Sequence, residues 1–212
     1  MSDADPARFA DQMAAFAEED RLALRPACQI VFTGSSSIRF WKTLGQDLAP
    51  LPVLNRGFGG SRIADVNDWF EQVVGRYRPA AVVFYAGEND LAAGKDPAAV
   101  VADFERFLAL KDKALGDTPV YFITLKPSKL RWDHFAAQSW INDRIRELSA
   151  RRADLEFIDV VQPMLEAGRP KDIFVEDNLH MTARGYVIWT SVVKPVLQRD
   201  AERLAAACKA RG

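Results

Sequence analysis

The sequence predicts an α/β fold in which a parallel sheet carries helices on both faces. Five short apolar runs, rich in branched and aromatic residues, are near-continuous rather than alternating, as expected of strands buried on both sides. Between them lie longer stretches with helical spacing, and right-handed crossovers join parallel strands in that order. Polar, glycine-bearing motifs then follow the strands directly, where a doubly wound sheet gathers its ligand-binding groups.

The elements read as follows. Pro6–Leu24 is expected to be a helix, with Phe9, Met13, Phe16 and Leu22 at roughly helical spacing. Gln29–Thr33 is the first strand and Pro52–Asn55 the second. Ile63–Arg76 is expected to be a helix with Ile63, Val66, Phe70 and Val73 on one face. Ala80–Tyr85 is the third strand. Pro97–Leu115 repeats the helical pattern with Val100, Val101, Phe104, Phe107, Leu108 and Leu115. Pro119–Thr124 is the fourth strand. Trp140–Arg151 forms a helix with Ile141, Ile145 and Leu148 inward, Asp133 reading as an N-cap ahead of it and His134 as a surface residue. Leu155–Asp159 is the fifth strand. Thr182 caps a last helix running to Ala207, which Pro195 is expected to kink or interrupt.

No linker, repeat or low-complexity stretch divides the 212 residues, so a single domain over 1–212 is expected, with a core over 28–207 behind the first helix. Twenty-eight basic residues balance 29 acidic ones, and no basic cluster offers itself to a run of phosphates; nucleic acid is not an expected partner. No apolar run is long enough to cross a bilayer, which argues against membrane insertion. Met1–Asp5 lacks the cationic start and apolar middle of a secretory signal, so the cytoplasm is the expected location. Cys28 and Cys208 lie near opposite ends, without a CxxC or Cys/His cluster; reduced thiols are expected, and no metal site.

Four motifs carry chemistry. At Gly34-Ser35-Ser36-Ser37 a glycine permits a sharp strand-to-helix turn that projects a serine above the sheet. The pattern fits G-x-S-x-G only to Ser36, because Ile38 holds the fifth position. Ser36 is the candidate nucleophile, Ser35 and Ser37 are its rivals, and a cap for a helix starting near Ile38 is the competing reading. Of two histidines, His180 is the candidate general base. Asp177, three residues earlier, can turn back to hold its ring in one tautomer, although a polar surface loop explains such a pair equally well. Acyl transfer also needs oxyanion donors: the Ser36 N–H, the Gly60 N–H in Asn55–Gly60, and the Asn89 amide in Gly87–Asp90 are available.

These four segments together resemble the blocks of the SGNH hydrolases, also called the GDSL esterases and lipases, over nearly the whole chain. Gly34–Ser37 matches the Gly-Asp-Ser block, with Ser35 where Asp is usual. Asn55–Gly60 matches the glycine block, Gly87–Asp90 the Gly-x-Asn-Asp block and Asp177–His180 the Asp-x-x-His block. The resemblance implies a flavodoxin-like three-layer α/β/α sandwich with a central, mostly parallel five-stranded sheet, and no cofactor. It implies a catalytic Ser36, Asp177 and His180, with Ser36, Gly60 and Asn89 as oxyanion donors.

The expected substrate is a small-molecule ester with a short acyl group, such as an acetylated sugar, since no long apolar lid segment is present to shelter a fatty chain. Thioesters and phospholipids are alternatives within the family. The loop after the fourth strand brings Lys126, Arg131 and Trp132 as candidates to line the substrate pocket; Ser35 and Arg62, beside the serine and glycine motifs, are further candidates. A non-catalytic binding module is disfavoured by the intact residue set. A nucleotide site built on Gly57–Ser61 lacks a GxxxxGK[ST] pattern.

Overall fold

A computed structural model of the protein describes residues 6–23, 26 and 28–211; the expectations for Met1–Asp5 and for a helix reaching Leu24 fall outside them. The sheet is built from β1 (Ile30–Gly34), β2 (Val53–Gly57), β3 (Ala81–Tyr85), β4 (Val120–Ile123) and β5 (Leu155–Ile158), each within two residues of its expected bounds. All pairings are parallel and the order is β2-β1-β3-β4-β5, which is the flavodoxin-like arrangement. The three inner strands are buried throughout, whereas the edge strands are only partly buried. This is why the inner runs are apolar without interruption.

Side chains of each strand alternate between two cores. Val31, Val82, Phe84, Val120 and Phe122 point to one, with α1 (Ala10–Leu22), α4 (Ile63–Asp68), α5 (Phe70–Val73), α7 (Pro97–Leu115) and α8 (Phe135–Ser149). Phe32, Val83, Tyr85, Tyr121 and Ile123 point to the other, with α2 (Ser36–Arg39), α3 (Leu44–Asp47) and α9 (Ala183–Arg211). Three layers result. A short α6 (Glu88–Ala92) follows β3, and a two-stranded hairpin, β6 (Leu165–Glu166) and β7 (Arg169–Pro170), precedes α9.

Several helical expectations are corrected. The stretch 63–76 is not one helix but α4, α5 and a 3-10 turn over Gly75–Tyr77, with breaks at Trp69 and Val74. Its apolar stripe survives, because Val66, Phe70, Val73 and Val74 are all buried; β-branched Val73 and Val74 followed by Gly75 are poor helix formers, and the helix ends there. The first helix begins as a 3-10 turn, Pro6–Phe9. α8 starts at Phe135 rather than Trp140, after a 3-10 turn over Trp132–His134; Asp133 lies inside that turn and does not cap the helix, and His134 is half-buried. Pro195 does not interrupt α9: it sits on the exposed face, where water can satisfy the carbonyl that loses its N–H partner. The Thr182 carbonyl accepts the N–H groups of Gly185 and Tyr186, while its hydroxyl donates to the Ile173 carbonyl.

The cysteine expectation is also overturned. Cys28 and Cys208 form a disulfide across 180 residues, with their Cα atoms 5.6 Å apart. The cause is topological: α9 runs back along the sheet and brings its C-terminal end to the start of β1, a proximity that spacing in the sequence does not reveal.

Candidate active site

The motifs converge at the carboxyl ends of β1 and β3, where the strand order reverses. Gly34 closes β1 with φ +121°, and a Cβ there would lie 1.9 Å from the Tyr85 carbonyl oxygen. No other residue permits that approach. It lets the Ser35 N–H donate to Tyr85 O at 2.8 Å, and the chain then turns directly into α2. Ser35 takes the N-cap position but makes no side-chain cap.

That turn separates the three serines. Ser35 and Ser37 are 3% and 2% exposed, whereas Ser36 is only half-buried. The Ser37 carbonyl accepts from the Tyr186 hydroxyl at 2.9 Å, so α9 buttresses the turn from below. Ser36 Oγ lies 2.8 Å from His180 Nε2.

His180 stands on the loop ahead of α9. The Val175 N–H donates to the His180 carbonyl, and Asn178 turns the chain between them with φ +56°. Inside this turn Asp177 Oδ1 accepts the N–H groups of Leu179 and His180, both at 2.9 Å. Wrapping the carboxylate over those two amides leaves Oδ2 against the ring, 2.5 Å from His180 Nδ1. Partial burial alone would raise the Asp177 carboxyl, but the His180 amide and ring and the Leu179 amide outweigh it and hold the group at about 2. It is therefore ionised at neutral pH. The ring of Phe40 packs edge-on against the His180 ring, centroids 4.8 Å apart, while Phe40 stays 40% exposed. Sequence reasoning missed Phe40, since nothing in a four-residue helix announces which ring its end will meet.

Around this chain of contacts the glycine loop and the Asn89 segment are both tied down. The Phe58 N–H donates to the Gly34 carbonyl at 2.9 Å, and Gly60 has φ +77°. Asn89 Nδ2 donates to the Ser61 carbonyl at 3.0 Å, linking the two segments. Below them Asp90, fully buried, accepts the Ile63 N–H at 3.1 Å.

The family-model comparison matches residues 27–188 to the GDSL-like Lipase/Acylhydrolase family. The chain belongs to this family. No curated protein matches the chain. Among solved structures it is similar to a GDSL-like lipase from Bacteroides thetaiotaomicron VPI-5482, at 20% identity and TM-score 0.75, covering 88% of this chain and 97% of that one. An acetyl esterase variant solved with acetate ion is 15% identical with TM-score 0.66, over 84% and 99% of the two chains. A carbohydrate esterase family 3 structure from Talaromyces cellulolyticus is 17% identical with TM-score 0.65, over 81% and 97%. These likenesses establish the acylhydrolase fold.

Within this acylhydrolase fold the other candidate pocket residues sort by burial. Lys126 is fully buried: its ammonium donates to Glu88 at 2.7 Å and lies over the Tyr85 ring, so it ties β4's end to α6 instead of lining an open surface. Ser35 is likewise enclosed. Arg62 is partly buried beside Asp65, whose carboxylate caps α4 through the Arg62 N–H. Trp132 stacks on Phe135 at 4.5 Å with the Arg169 guanidinium over its face. Arg131 is half-buried next to it. The loop they share touches the site through the Leu130 N–H, which donates to the Asn178 carbonyl. Among the described residues no cluster of His, Cys, Asp or Glu is arranged to hold a metal, and no helix is long and apolar enough to cross a membrane.

Proposed function

We propose that the chain is a serine ester hydrolase working through an acyl-enzyme. The carrying observation is the continuous line from Ser36 Oγ through His180 Nε2 and Nδ1 to Asp177, at 2.8 and 2.5 Å. In this reading Ser36 Oγ bonds to the ester carbonyl carbon as its proton passes to His180 Nε2. The carbonyl oxygen becomes an oxyanion, received by the N–H groups of Ser36 and Gly60 and by Asn89. The amide of Asn89 has two hydrogens, and fixing one on Ser61 leaves the other to donate. His180 then protonates the departing alcohol. Water repeats the cycle, releases the acid and restores Ser36.

A short acyl group, such as acetyl on a sugar or another small alcohol, is the substrate class we favour. Phe40 gives a small apolar wall beside the His180 ring, and the sequence carries no long apolar lid segment. The disulfide favours an oxidising compartment over the expected cytoplasm. Hydrolysis of p-nitrophenyl esters from acetyl to octanoyl tests the substrate reading. kcat/KM falling with chain length supports it, a rise points to lipase-type substrates, and no hydrolysis of any member favours a binding module.

A further inference from the structure

We propose that α1, which lies outside the residues matched to the family, is a positioning element for the oxyanion loop; the inference rests on Gly60 N–H acting as an oxyanion donor. That N–H belongs to the peptide joining Gly59 to Gly60, and α1 with the 3-10 turn ahead of it holds both flanks of that peptide. On one side the Gly59 N–H donates to Gln12 Oε1 at 2.9 Å. On the other the Arg8 guanidinium donates to the Gly60 carbonyl at 3.2 Å. Between them Phe9 packs edge-on against Phe58, centroids 4.9 Å apart and both rings buried.

Such restraint has a physical purpose. Two adjacent glycines, one at φ +77°, can turn their shared peptide at little steric cost, so the direction of the Gly60 N–H must be fixed from outside. A donor displaced by a fraction of an ångström stabilises an oxyanion poorly. α1 is itself firmly held. Arg56, on β2 and 1% exposed, donates to Glu19 at 3.0 Å, to Asp20 and to the Tyr77 hydroxyl at 2.7 Å, with the Phe16 and Tyr77 rings against its guanidinium. The anchor runs from the sheet edge through α1 to the glycine loop. Gln12 and Arg8 are positioning residues in this account, since each acts through the Gly59–Gly60 backbone.

The test compares wild type with Gln12→Leu and Arg8→Ala, both outside the buried core, in p-nitrophenyl acetate hydrolysis and in inhibition by phenylboronic acid. The boronate's tetrahedral serine adduct presents an oxygen to the oxyanion donors. For Gln12→Leu we expect kcat to fall roughly 10- to 100-fold, KM to stay within about twofold, and boronate affinity to weaken by a similar factor. Arg8→Ala should move the same way by less and serves if Gln12→Leu does not fold. An active wild type with kcat and boronate affinity unchanged in the folded variants overturns the clamp alone, as does a loss confined to KM. A wild type that hydrolyses no ester and binds no boronate overturns the catalytic reading, and the clamp's catalytic role with it.

Discussion

His180 Nε2 lies 2.8 Å from Ser36 Oγ although 144 residues separate them in the chain. The fold closes that gap by bringing the end of β1 and the loop before α9 to the same rim of the sheet. Proton transfer across this contact depends on which ring nitrogen carries the proton.

Asp177 sets that choice by accepting from Nδ1. In Asp177→Asn the amide oxygen can still accept from Leu179 and His180, which preserves the turn, while its NH2 group faces the ring. The ring then exposes a protonated Nε2 to Ser36 and cannot take its proton. We expect kcat to fall about 10³- to 10⁴-fold with little change in KM or melting temperature. A loss of less than about tenfold in steady-state kinetics would remove Asp177 from the proposed triad.

Asp90 makes stability depend on pH. Burial, aided by Asp103 and Asp65, raises its carboxyl to about 6, against the opposing Ile63 N–H and Lys95. Between about pH 4 and about pH 6 the folded chain keeps a proton that the unfolded chain has lost. The contribution therefore favours folding at low pH and is lost as pH rises through about 6, by about 3 kcal/mol. Urea unfolding of wild type and Asp90→Asn at about pH 4 and about pH 7 measures it: the variant should gain relative stability at the higher pH. Parallel pH dependence in the two proteins would contradict this.

The Cys28–Cys208 bond closes a loop of 180 residues. Loop closure on this scale stabilises by about 5 kcal/mol in the chain-entropy picture, so reduction should lower the melting temperature markedly. A thiol assay on denatured protein should find no free cysteine without reductant and both with it. Two free thiols in the unreduced protein, purified under oxidising conditions, would contradict the pairing.

The legible parts of this molecule are those whose cause is local. Inner strands read clearly because burial on both faces leaves continuous apolar runs such as Ala81–Tyr85. The apolar spacing of Pro97–Leu115 matches α7, whose ends are sharp because Asp96 caps it, accepting the Ala98 N–H, Pro97 follows, and Gly116 ends it. The Asp177 turn is local too, which is why a three-residue spacing lets its carboxylate reach the His180 ring. Features made by distant partners were not legible. Lys126 reads as a pocket cation until Glu88, 38 residues away, is brought against it. Which of Ser35, Ser36 and Ser37 stands beside His180 follows from Gly34 meeting the Tyr85 carbonyl, and the cysteine pairing from the return of α9.

The central claim is that Ser36 is a nucleophile activated by His180. Intact mass after exposure to an organophosphonate serine probe, with peptide mapping, tests it most directly. One adduct per chain, mapped to Ser36 and absent from a folded His180→Ala variant, is the expected result. An adduct on Ser35 or Ser37, labelling that survives the loss of His180, or no adduct at all would contradict it.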